Sequence, residues 1–164
     1  MSRPKIKIEK ENVDLILEVL AIVGILFLIA YPLFHYNSLP DEIPSHFGPS
    51  GQPDDYQSKN FIWVFPVLGV FIYLLLTIVS RIPHTFNFTV KITEENATTQ
   101  YQIAVRMISV LKTIILFTFA YISFTSIQIA LGNKNELGYW FLPVLLFFVF
   151  APIVYTLRKS SSNK

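Results

Sequence analysis

Four stretches, near residues 15–34, 61–80, 107–131 and 139–157, consist almost wholly of apolar side chains. Each holds about twenty residues, enough for a helix to cross the ~30 Å hydrocarbon core of a bilayer. Within lipid every backbone amide needs an internal partner, so helix is the expected state of all four. Hydrophobic residues make up 52% of the 164-residue chain, more than a water-soluble domain of this size can bury. The expectation is an all-α integral membrane protein built as a four-helix transmembrane bundle. The first stretch is too long for a signal-peptide core, and "LFLIAYPLFHY" offers no small-x-small cleavage site, so it is expected to remain as a span.

Lys and Arg set the expected orientation. They gather in the N-terminal tail (Arg3, Lys5, Lys7, Lys10), between spans two and three (Arg81, Lys91, Arg106), and at the C-terminus (Arg158, Lys159, Lys164). The other two connections hold only Lys59 and Lys134. The positive-inside rule then puts both termini in the cytoplasm. It divides the chain into cytoplasmic tails 1–14 and 158–164, a membrane domain 15–157, an outer loop 35–60 and a cytoplasmic segment 81–106. Trp63, Tyr139 and Trp140 fall at the outer boundary, where amphipathic rings prefer to sit.

In the cytoplasmic segment, Thr93 reads as an N-cap with Glu94 and Glu95 in the first turn. No Gly or Pro follows until Gly132, which predicts one long helix running into span three. Its apolar stripe of Tyr101, Val105 and Ile108 could lie on the membrane or bind a partner, but packing within the chain is the favoured reading. "FNFTVKI" just before it reads as extended loop, since an isolated strand is marginal. Pro143 falls early in span four and Pro152 in its interior, where a kink is expected.

Glu18 and Lys112 read as the ionisable acid and base inside spans, at similar depth. They are expected to face each other, as a structural pair in preference to an ion relay. In span three Ser109, Lys112, Ser123, Ser126 and Ala130 share one face. Thr118, Tyr121, Thr125 and Gln128 share a neighbouring one. Small and polar residues in a span mark helix contact first and a ligand cavity second.

The outer loop "LPDEIPSHFGPSGQPDDYQSK" carries four prolines and repeated turn chemistry, so it reads as a shaped cap with Ile43, Phe47 and Tyr56 tucked onto the bundle. His46, Asp41 and Asp54 are its metal-donor candidates, with Glu42, Asp55 and His35 nearby, but no spacing fixes ligands on one face. There is no cysteine, and the formal net charge of +2 gives no reason to expect nucleic acid. With no nucleophile motif and no phosphate-cradling loop, neither a cofactor nor an enzyme is expected. No internal repeat or inverted pair of broken helices points to a secondary transporter.

Leu39-Pro40-Asp41, Ile43-Pro44, His46-Phe47, Gly51, Pro53-Asp54 and Ser58-Lys59 resemble the signature of the bacterial membrane family called domain of unknown function 1648. Residues 90–112 also resemble a segment often found there. The same domain forms the N-terminal part of SdpI-type immunity proteins, which protect cells from a membrane-active toxin peptide and hold a repressor at the membrane. SdpI-type proteins continue into a further membrane domain for which this sequence offers no equivalent. The resemblance implies a bacterial plasma-membrane protein without catalytic residues. Its outer cap of Pro44, His46, Phe47, Asp54 and Tyr56 would meet an extracellular peptide, and its long helix would reach a cytoplasmic protein partner. The alternatives are a small transporter or channel component using Glu18 and Lys112, and an accessory subunit of a larger membrane protein.

Overall fold

A computed structural model describes residues 3–163. Helix α1 spans Asn12–His35 and a short 3-10 turn follows it. Strands β1, Glu42–Phe47, and β2, Pro53–Ser58, form an antiparallel hairpin. After a second 3-10 turn come α2, Val64–Val79, then α3, Ala97–Ala130, and α4, Phe141–Ser162. All four helices are long and apolar enough to cross a membrane, counting the flanking 3-10 turns with α1 and α2. At 1.5 Å per residue, α3 extends about 50 Å, well past the ~30 Å that a span requires.

Helix α3 is the axis against which α1, α2, α4 and β1 all pack. Ala21 and Leu28 of α1 meet Leu116 and Ala120 of α3 in a buried cluster, with Phe65 and Tyr73 of α2 against it. Small residues permit the close approach. A Cβ on Gly24 would lie 3.3 Å from Leu116 Cβ, and one on Gly69 would lie 2.8 Å from Leu28 Cδ1. The opposite faces stay apolar and open: Leu26, Val67 and Phe147 are 61, 66 and 66% exposed. Such faces on α1, α2 and α4 would cost heavily in water and suit hydrocarbon. Helix α4 buries only Ser160 and is the most peripheral of the four.

Three expectations need correction. The bundle is mostly helical, not all-α, because the proline-rich loop closes into the hairpin. Two-stranded pairing leaves both strands as edges, so Pro44 and Pro53 fit without breaking an inner ladder. An irregularity at Ser45 shifts the register between Pro44↔Tyr56 and His46↔Asp55. Tyr56 does not tuck onto the bundle. It is 51% exposed, because β1 lies on α3 and β2 is the outer strand. Finally, Thr93 does not cap α3 directly. Thr93 and Asn96 exchange side-chain hydrogen bonds (Thr93 N to Asn96 Oδ1, 2.9 Å; Asn96 N to Thr93 Oγ1, 3.3 Å) that close a turn ahead of Ala97. Glu94 and Glu95 therefore precede the helix.

Candidate functional site

Two polar clusters stand at opposite ends of the bundle. The first is the hairpin. A lone two-stranded hairpin is marginal, so its shape depends on what holds it. Ile43 is 1% exposed and joins Leu39, Ile62 and Ile127 in a buried cluster. Ser126 Oγ of α3 donates to the Pro44 carbonyl (3.0 Å), and Leu137 N, in the α3–α4 connection, donates to the Gly51 carbonyl (2.7 Å). Lys59 N donates to the Asp41 carbonyl (2.8 Å), closing the open end of the hairpin. Phe47 lines a cavity of about 400 Å³ with Phe65, Ile122, Leu137 and Phe141.

The hairpin's outer surface carries a dense set of carboxylates. His46 Nδ1 lies 2.6 Å from Asp54 Oδ1, and both side chains are largely solvated. Ser45 Oγ donates to Asp55 Oδ2 (2.9 Å) and Gln57 Nε2 to the same oxygen (3.3 Å). These two donors, the Ser45 hydroxyl foremost, hold the Asp55 carboxyl below its ordinary range. A depressed acid stabilises the fold above its unfolded pKa and loses that contribution as pH falls through the folded one. Ser45→Ala is therefore expected to move the Asp55 titration upward in an NMR pH series, and an unmoved midpoint would refute the assignment.

Asp41 sits 3.7 Å from Lys59 Nζ, at the end of the hairpin opposite His46. Among the described residues no three His, Asp or Glu side chains are placed to hold a metal ion together. The hairpin thus brings His46 and Asp54 together, leaves Asp41 apart, buries Pro44 and half-buries Phe47.

The second cluster ties three helices at one height. Lys112 Nζ of α3 lies 3.0 Å from Glu18 Oε2 of α1 and 3.1 Å from Thr77 Oγ1 of α2. It also stands 4.6 Å from the centroid of the Tyr73 ring, whose hydroxyl donates to the other Glu18 oxygen. Tyr73 and Thr77 are absent from the sequence-based expectation. Their spacing of four residues in an apolar run would put both on one face of α2. A turn or so nearer the termini, Arg106 takes Asp14 through two hydrogen bonds (2.9 and 3.0 Å) and Glu11 at 2.9 Å. Asp14 and Arg106 also belong to the long helices, one residue short of the expected spans 15–34 and 107–131.

Several polar side chains of α3 bond to neighbouring segments. Thr113 Oγ1 reaches the Leu17 carbonyl (3.2 Å), Gln128 donates to the Tyr31 hydroxyl, and Tyr121 donates to the Leu137 carbonyl (3.0 Å). Ser123 Oγ and Thr125 Oγ1 are buried without a partner among the described residues. The apolar stripe below packs within the chain at Tyr101, which is fully buried, its ring 5.5 Å from that of Phe88.

A mostly helical protein with four membrane-length helices, one end capped by a pinned hairpin and the other closed by ion pairs, is the class these features define. Residues 23–70 match the family described as "Domain of unknown function (DUF1648)". That match takes in most of α1, the whole hairpin and the start of α2, and it stops short of 90–112. A protein of Archaeoglobus fulgidus, described as "Uncharacterized protein", is 30% identical over 76 residues, covering 42% of each chain. The chain thus spans about two fifths of that relative's length. No solved structure matches the chain.

Proposed function

We propose that this is a non-enzymatic protein of the bacterial plasma membrane that senses or neutralises a membrane-active peptide outside the cell. Both termini lie in the cytoplasm in this reading, as the Lys and Arg distribution favours. The hairpin then faces outward, with the solvated His46–Asp54 pair as its polar contact and Phe47 beside it as the apolar one. The base of α3 meets a cytoplasmic partner. The observation that carries the reading is the double anchoring of the hairpin, by Ser126 to Pro44 and by Leu137 to Gly51. A preorganised surface binds without the cost of ordering a loop. It also hands any displacement straight to α3, the helix on which α1, α2, α4 and β1 all pack.

The double substitution His46→Ala/Asp54→Ala leaves the buried face of the hairpin untouched. At equal expression it is expected to lower the concentration of membrane-active peptide that cells survive by about tenfold, the effect of losing one central contact. Unchanged survival would remove the hairpin from the recognition surface.

A second reading, a small transporter component, draws on the polar cavity beside Glu18 and Lys112. Against it stands the apolar layer above that pair, where Leu28 and Leu116 are 1 and 0% exposed. Solute flux in reconstituted vesicles would favour this reading over the first.

A further inference from the structure

At the end of the bundle that carries both termini, a cavity of about 340 Å³ lies between the start of α1, the end of α2 and the base of α3. The extended N-terminal segment forms one wall. Its side chains alternate, with Ile6 and Ile8 half-buried and Lys7 and Glu9 exposed. The segment is tied down at its start: Arg3 donates to the carbonyls of His84 and Phe86, and the Tyr101 hydroxyl donates to Pro4 O (3.1 Å).

The charge in this cavity is unbalanced. Its acids are Glu9, Asp14 and Glu18, of which Asp14 is taken by Arg106 and Glu18 by Lys112. Lys7, Lys10 and Arg81 also line it, and none of the three makes an ion pair among the described residues. Over the whole lining, Lys7, Lys10, Arg81 and Lys112 outweigh Glu9, Asp14 and Glu18 by one positive charge. Hydroxyls of Ser80 and Ser109 add neutral polar groups to the wall. The volume is that of a small-ligand site.

The height of the cavity says where an anion would come from. Lys10 precedes α1 by two residues and Arg81 follows α2 by two. Just beyond, the outer faces turn apolar, with Leu15, Ile16 and Ile78 exposed by 50, 59 and 61%. A basic cavity that opens where the lipid-facing band ends is at headgroup level. We propose that it receives the phosphate-bearing headgroup of an anionic phospholipid from the adjoining leaflet, whose chains lie along Leu15, Ile16 and Ile78. A free phosphate would satisfy the same cations but would leave those apolar faces without a role. The proposal is independent of peptide sensing and of which side of the membrane this end faces.

The test uses the full chain in neutral detergent and native mass spectrometry with added phosphatidylglycerol or phosphatidylcholine. The wild type is expected to retain one phosphatidylglycerol and to discriminate against phosphatidylcholine. Lys7→Gln/Lys10→Gln/Arg81→Gln is expected to weaken that retention at least about tenfold. Lys5→Gln/Lys91→Gln/Arg158→Gln removes the same charge away from the cavity and is expected to retain the lipid. Equal losses in the two triple variants would reduce the effect to diffuse surface charge and overturn the proposal. Equal retention of the two lipids would overturn it too. Full displacement of phosphatidylglycerol by millimolar inorganic phosphate would reassign the cavity to a free anion.

Discussion

Lys112→Met is expected to destabilise the folded chain by about 3 kcal/mol, whereas Glu18→Gln/Lys112→Met is expected to stay within about 1 kcal/mol of wild type. The Lys112 side chain is 4% exposed and that of Glu18 is 23% exposed, so this pair is not one of the solvated ion pairs that contribute little. Removing the ammonium alone leaves the largely buried Glu18 carboxylate with the Tyr73 hydroxyl but without its counter-charge. The stranded charge, more than the lost attraction, sets the cost. Neutralising both partners with side chains of similar volume removes that charge altogether. A double-mutant cycle followed by unfolding in detergent should give a coupling energy of at least about 2 kcal/mol. Additive single effects, each under about 0.5 kcal/mol, would show that both groups are solvated through the neighbouring cavity.

Gly51→Val is expected to cost about 3 kcal/mol and to free the hairpin from the bundle. Gly51 holds φ at +82°, where a side chain, and above all a branched one, is strained by about 1–2 kcal/mol. A Cβ there would also stand 2.8 Å from the N, C and O atoms of Gly138. Backbone cannot rotate aside as a side-chain tip can, so the strands must move, at an overpacking cost of ~1–3 kcal/mol. Movement would break the hydrogen bond from Leu137 N to the Gly51 carbonyl. Gly132 separates the two causes: it has φ +77°, but a Cβ there would meet nothing within 4 Å. Gly132→Val should therefore show the conformational cost alone, and amide exchange at residue 137 should accelerate only in the Gly51 variant. Equal exchange in both would mean that the Gly51–Gly138 contact does not hold the hairpin.

Much of the architecture was legible in the sequence because hydrocarbon is a simple solvent. A run of about twenty apolar residues has few stable fates, and the uninterrupted stretch up to Gly132 allowed only one long helix. The depth of Glu18 and Lys112 followed from counting turns. The hairpin was less legible. Four prolines and two glycines announced turns, yet "EIPSHF" and "PDDYQS" lack the alternation that marks a strand with one buried face. β1 is the strand packed on α3, through Ile43 and Pro44, and β2 rests on β1 and on the 3-10 turn before α2. Tyr56 was misplaced for that reason: an apolar ring in a loop gives no sign of which strand lies outside.

The candidate sites divide the same way. His46 and Asp54 were singled out together as candidates, but the geometry that sets them 2.6 Å apart depends on the register shifts on both sides of His46. The contacts of Tyr73, Thr77, Asp14 and Arg106 went unread because they come from which helix faces which, and no local pattern records that.

By itself, then, the sequence determined four membrane-length helices, a rigid proline-rich connection, and the concentration of basic residues in the tails and the middle segment. Those are properties of single segments, set by side-chain solubility and by backbone groups that must pair within each segment. Tertiary structure alone decided that α3 is the axis, that the connection is a hairpin seated on it, and that one buried lysine joins three helices. Those outcomes depend on close approach at Gly24 and Gly69 and on hydrogen bonds between residues far apart in the chain.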